Sequence, residues 1–167
     1  VEAGRPPDTL TVLSRGAARV HDEFAGEPAL AAELLYIIGR VQLHLGEYET
    51  SREQLLAAHE LGRRHGLPAQ ARGRTMLQLG MHASETGKLD DARDWLARAR
   101  DTLAGLDDDA SRHSLAYVHM YLANVATVRD EHELALAELA RAEAIEATLP
   151  PDPRRRAHLY VFKGNAL

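Results

Sequence analysis

"TGKLDDARDWLARA", residues 86–99, gathers Asp90, Asp91 and Asp94 around the only tryptophan of the chain, Trp95. Carboxylates this close together suit a metal site or a proton-transfer site. A stretch that recurs at a fixed interval is instead architecture, and this one recurs. Residues 87–99, "GKLDDARDWLARA", align with 46–58, "GEYETSREQLLAA", and with 130–142, "DEHELALAELARA". Gly46, Gly87 and Asp130 open a turn; Tyr48, Leu89 and His132 follow two residues on. Ser51, Ala92 and Ala135 are small, Leu55, Leu96 and Leu139 are large, and Ala58, Ala99 and Ala142 are small again. Seven residues before each turn opener stand Gly39, Gly80 and Ala123, and Gly164 continues the series. These four small positions recur at a nearly constant interval of roughly 41 to 43 residues, as expected of a helical repeat. Three alignments in one phase make the chain a repeat array.

Each copy carries two apolar stripes at helical spacing. In the first, Leu35, Ile38, Val41 and Leu45 share one face, and Leu55, Ala58 and Leu61 share another after the turn. Gly66, Pro68, Gly87, Gly105, Pro150, Pro151 and Pro153 fall where helical hairpins end. Pro68 and Pro151 suit the first turn of a helix, where a missing amide donor costs little. Asp107 to Asp109 suit the positive N-terminal end of a long helix. The pattern predicts helices at 9–24, 29–45, 49–64, 69–86, 89–104, 109–129, 132–147 and 152–166, and no strand. Small residues at 39, 80, 123 and 164 let the first helix of each hairpin approach the second closely, and the leucines fill the space between. One hairpin cannot bury its face alone, so neighbours stack.

Composition agrees. The 167 residues are 45% hydrophobic, 27% charged and only 5% aromatic, with no cysteine and a net charge of −5. Alanine and leucine dominate the apolar set, which favours helix packing over sheets. The acidic balance speaks against a nucleic-acid groove. Without cysteine there is no disulfide, thiol catalysis or thiolate metal site, as fits a reducing cytoplasm. No apolar run nears the ~20 residues of a membrane span. Beginning at Val1 without methionine and stopping at Leu167 inside a helical pattern, the sequence reads as part of a longer protein.

A small residue, a glycine seven later, an aromatic or leucine two after that, and then Ala–x3–Leu–x2–Ala resembles the tetratricopeptide repeat. The resemblance covers about residues 29–166. It implies an all-α, right-handed superhelical solenoid of antiparallel hairpins with about eight helices, forming one domain over 1–167. Residues 8–27 would be a partial leading unit, 28–67, 68–107 and 108–149 three full units, and 150–167 the first helix of a fourth. The family unit is ~34 residues. The extra seven or so amount to roughly two helical turns at ~3.6 residues each, which preserves phase. Long units of this kind are similar to arrays in bacterial regulators that carry kinase, DNA-binding or signalling ATPase domains.

Chemistry is sparse. None of the nine histidines stands four from another, as a zinc site on one helix face needs, and "DEHE" at 130–133 sits at a tight turn. Carboxylates recur at the helix start of every copy, as Glu49 and Glu53, and Glu131 and Glu133, so a dipole role is expected rather than acid–base catalysis. There is no phosphate loop, nucleophile elbow or serine–lysine signature. "GRRHG" at 62–66 and "RRR" at 154–156 read as solvated faces. No enzyme activity, cofactor or metal is expected.

The resemblance instead implies a groove lined by first helices that binds a protein or peptide segment, without direct nucleic-acid or membrane contact. Relative to the small residue of each unit, the contact positions fall on Glu33, Tyr36, Arg40, Leu43 and His44; on Arg74, Leu77, Met81, Ser84 and Glu85; on Tyr117, Met120, Asn124, Thr127 and Val128; and on His158, Val161 and Asn165. Aromatic and methionine anchors would supply binding energy, and amides would bond a peptide backbone. The alternative is self-association through terminal helices, with the face of 152–166 open to a second copy. Trp95, whose counterparts Gln54 and Glu138 are polar, is expected on the outer face.

Overall fold

The structure, a computed structural model, describes residues 9–166, so residue 8, where the leading partial unit is expected to begin, lies outside the described residues. Among them all regular structure is α-helical: α1 (Thr9–Glu23), α2 (Pro28–His44), α3 (Tyr48–Arg64), α4 (Ala69–Glu85), α5 (Leu89–Leu103), α6 (Asp109–Val128), α7 (His132–Glu146) and α8 (Pro153–Ala166). Every expected helix is present, and each boundary falls within one residue of the spacing-derived one. The helices form two compact units, α1–α3 within Val1–Leu67 and α4–α8 within Pro68–Leu167. In the first, α2 packs against both α1 and α3. In the second, α4 pairs with α5 and α6 with α7; α6 also packs on α4, α5 and α8, and α8 also packs on α7.

Three hairpin turns are built from the same hydrogen bonds. Gly46 N–H donates to the Leu43 carbonyl and Glu47 N–H to that of Gln42, at 3.0 and 2.9 Å. Gly87 and Lys88 repeat this toward Ser84 and Ala83, and Asp130 and Glu131 toward Thr127 and Ala126. These are Schellman ends, whose turn residue must be left-handed. The backbone φ is 79° at Gly46, 73° at Gly87 and 58° at Asp130. The aspartate thus holds a conformation that glycine accepts without strain. Elsewhere a side chain caps. Asp108 accepts from Ser111 N–H at 2.9 Å and starts α6, and hydrogen bonding from Ser111, side chain first and backbone second, holds its carboxyl below the usual range. Two prolines differ slightly from expectation. Pro68 stands just before α4 with extended ψ, and Pro153 rather than Pro151 opens α8.

The small residues explain the pairing. A methyl group on Gly39 would lie 2.9 Å from Leu55 Cγ, and one on Gly80 would lie 2.6 Å from Leu96 Cγ. Leu55 and Leu96 are fully buried and Leu139, opposite Ala123 in register, nearly so. Ser51 adds a hydrogen bond from Oγ to the Gly39 carbonyl at 2.8 Å, side chain to backbone across the hairpin. A second close approach, not evident from the alignment, sets Gly73 against Leu103, where a methyl group would come within 2.5 Å of Cγ. At Gly164 the space is open.

Two cores follow in the second unit. Leu77, Leu96, Leu103, Val118, Leu122 and Val125 lie in one. Ala116, Met120, Ala123, Leu139, Leu159 and Ala166 lie in the other. Helix α6 thus serves both, one face toward α4 and α5 and one toward α7 and α8.

Replacing Gly80 by alanine should destabilise by about 1–3 kcal/mol through overpacking, although alanine is the better helix former. Gly164→Ala, the same exchange into open space near the end of α8, should leave stability unchanged or raise it by up to about 1 kcal/mol. Urea unfolding measures both, and equal midpoints for the two variants would contradict the close-approach account. At the third turn, Asp130→Gly should raise stability by about 0.5–1 kcal/mol by relieving the left-handed aspartate; a loss in the same assay would count against it.

Candidate functional site

In the second unit the first helices α4, α6 and α8 lie side by side, and their shared surface collects aromatic rings. His113, Tyr117 and Tyr121 stand at four-residue intervals on α6, and His158 and Phe162 do so on α8. One helix spacing puts each set on one face. His113 stacks on Tyr117 with ring centres 5.0 Å apart and planes 20° apart. Tyr117 meets His158 edge-on at 5.7 Å, and its hydroxyl shares a hydrogen bond with His158 Nδ1 at 2.9 Å. Tyr121 meets Phe162 at 5.2 Å and 64°. Toward α4, Asn124 Nδ2 donates to Ser84 Oγ at 3.2 Å. Half-buried Met81 packs on the same core as Tyr117 and Tyr121.

Burial sets the proton chemistry of this strip. It pushes the Tyr121 phenol up to about 12, with the Glu85 carboxylate and Tyr117 adding to the effect, and raises Tyr117 as well. Burial lowers the His113 imidazole, and the nearby Arg155 charge lowers it further. At neutral pH the two phenols are neutral donors and acceptors, suited to hydrogen bonding rather than to ionic recognition.

The expected contact residues divide by register. Arg74, Met81, Ser84, Tyr117, Asn124 and Thr127 are half-buried, while Glu85, Val128, His158, Val161 and Asn165 are exposed. Leu77 and Met120 are not surface residues: each is buried, Met120 completely. Three residues before the small position, their side chains turn toward the next first helix, Leu77 into the core shared with α6 and Met120 into the core shared with α8. Val161 holds the same register but is 60% exposed, since no further helix follows α8 among the described residues. Tyr121 and Phe162 were missed because the carried-over positions skip their register; the four-residue spacing of rings was the available signal.

In the first unit, Tyr36 and Leu43 are buried, Glu33 is half-buried, and Arg40 and His44 are exposed. The Arg40 guanidinium lies 5.7 Å from the Tyr36 ring centre, within cation–π range. His44 Nδ1 pairs with the Arg40 carbonyl at 2.8 Å.

Two further expectations need correction. Trp95 is half-buried against the core of α4–α6, with the Arg98 guanidinium 4.5 Å over its ring, so it does not project from an outer face. Its counterpart Glu138 is 5% exposed and meets His119 Nδ1 at 2.6 Å. Burial would raise the Glu138 carboxyl, but His119, with Arg141 and Arg100 behind it, outweighs burial and holds it low. The polar letter at this position marked a buried pair. Likewise Arg155, the centre of "RRR", is buried rather than solvated. Its Nε meets both oxygens of the part-buried Glu146 at 3.0 Å. Among the described residues no three His, Asp or Glu side chains converge as a metal site, and the setting of the His21 side chain lies outside them.

Arg155→Met would leave the part-buried Glu146 carboxylate without its partner and should cost about 1–3 kcal/mol. Arg154→Ala and Arg156→Ala, at exposed positions, should stay within about 0.5 kcal/mol. Chemical unfolding of the three variants separates a structural arginine from a surface basic run, and equal costs would refute the distinction.

No protein-family model matches the chain, and no curated protein matches it in sequence.

Proposed function

We propose that this chain is a tetratricopeptide-like, non-catalytic binding module that captures a protein or peptide segment on its first helices. It would act inside a larger cytoplasmic bacterial regulator. The observation that carries this reading is the strip of rings across α6 and α8, half-buried apart from the exposed His158 and flanked by Met81 and Asn124. The rings are tied to one another and to neighbouring helices, so little side-chain entropy is left to lose on binding. Aromatic anchors supply area, while Asn124, Asn165 and the neutral phenols offer hydrogen bonds to a peptide backbone. Mixed polarity, with the neighbouring Arg155 already paired to Glu146 and Asp152, favours an extended or helical peptide over a phosphorylated or nucleic-acid partner.

Selection of a displayed random-peptide library on the purified chain should yield binders. Tyr117→Ala, Tyr121→Ala and Asn124→Ala combined should weaken the best binder by at least about 30-fold, the loss of one or more hot spots. Helicity by circular dichroism should persist. Binding unchanged in the triple variant would refute the assignment of the face.

A second reading, self-association, has its own observation. Tyr160 and Val161 on α8 are 68% and 60% exposed, and Gly164 beside them faces open space. Next to them a depression of about 400 Å³ is lined by residues including Leu149, Pro151, Leu159 and Tyr160. Light scattering across concentrations tests it: a strict monomer excludes this reading, whereas a dimer abolished by Tyr160→Arg establishes it.

A further inference from the structure

The hairpins α2–α3, α4–α5 and α6–α7 share one contact, and α8 and α1 each carry half of it. On the first helix the contact takes in the small residue and the residues four and seven places before it. In α2 these are Gly39, Leu35 and Ala32; all are buried, as are the residues in the same places of α4 and α6. In α8 the same places hold Gly164, Tyr160 and Ala157, and there all are exposed, Tyr160 by 68%. A methyl group added to Gly164 would meet nothing within 4 Å. The face that a second helix covers in the other hairpins is open in α8.

Helix α1 carries the other half. Its Leu13 and Gly16 stand one repeat length, ~42 residues, before Leu55 and Ala58 of α3, so α1 has the register of a second helix. Leu55, Leu96 and Leu139 are fully or almost fully buried in this place. Leu13 is only half-buried, and Val12 before it is 53% exposed. The later residues Ala17 and Val20 are buried, and α1 packs on α2. We propose that α8 of one copy and α1 of a second copy pair as an antiparallel hairpin, Leu13 over Gly164. Val12 then meets Tyr160, the two places that Glu138 and His119 hold where α7 touches α6. The same register sets Glu23 level with Arg154, exposed residues of opposite charge. Two α8 helices paired together would offer Gly164 no leucine, because Leu159 is buried. This inference rests on the self-association reading and names the surface that α8 meets. The two surfaces differ, so the contact is head-to-tail and leaves one α1 and one α8 open in each dimer.

Two variants of the full chain each block one surface: Tyr160→Arg on α8 and Val12→Arg on α1. Sedimentation velocity should show the unaltered chain associating as its concentration rises, and each variant alone should associate at least about 30-fold more weakly. An equimolar mixture of the two should form a one-to-one dimer, because one variant keeps its α1 and the other keeps its α8. Association kept by Val12→Arg but lost by Tyr160→Arg would mean that α8 meets another surface; self-association would stand and the α1 contact would fall. A mixture that stays monomeric while the unaltered chain associates would also overturn it. Association kept by Tyr160→Arg, or an unaltered chain that stays monomeric, would remove this contact and the self-association reading together. Should either arginine variant lose helicity by circular dichroism, Tyr160→Glu or Val12→Glu takes its place in the same mixture and is judged by the same masses.

Discussion

Close approach of two helices, glycine or alanine on one against leucine on the other, is the constraint from which the rest follows. With Gly80 and Leu96 in contact there is no room for a larger residue, so the first helix must carry a small residue at this level and the second a large one. The turn must then return the chain at a fixed height, and the three Schellman ends with their matching hydrogen bonds do so. Gly73 against Leu103, two turns further along the same pair, extends the contact and holds α4 and α5 close over most of their length. Burying one leucine fully is worth about 1.5–3 kcal/mol, and α5 repeats this two turns on, at Leu103. That is the scale of the fold.

Once α6 is committed on both sides, to α5 through Val118 and Val125 and to α7 through Ala116 and Ala123, only a narrow stripe of it remains for the surface. Residues one register step apart have opposite fates there. Met120 is swallowed, whereas Tyr117, Tyr121 and Asn124 keep one edge open. The aromatic rings thus fill gaps between first helices and at the same time present an ordered edge outward. A surface whose geometry is fixed by core packing is preorganised in the sense that favours affinity without large area.

Much of this was legible in the residues. The phase of small and large positions placed the helices to within one residue, because glycine turns and leucine knobs are local requirements that leave a mark at each copy. The candidate face was legible only in part. Its helices followed from the repeat, but whether Leu77 or Met81 points outward depends on about one residue of helical phase and on the helix packed beside it. Neither is encoded in either residue's own chemistry. The least legible features were the buried charges. Glu138 and Arg155 look like surface letters, and nothing local marks them; their partners, His119 and Glu146, stand 19 and 9 residues away and become neighbours only through the hairpin.

The carboxylates of residues 86–99 find their place in the same hierarchy. Asp90 pairs with Arg129, and Arg93 with Glu131, linking the start of α5 to the turn before α7. Asp90 is 90% exposed and the other partners are partly exposed, so solvent screens both pairs, each contributes little, and added salt weakens them further. That is less than a single buried leucine contributes. These ion pairs therefore trim the stacking of successive turns but cannot dictate it. The helices would sit where Gly80, Leu96 and their counterparts put them even with the aspartates removed, whereas no arrangement of surface charge would restore the hairpin if the close approach were lost.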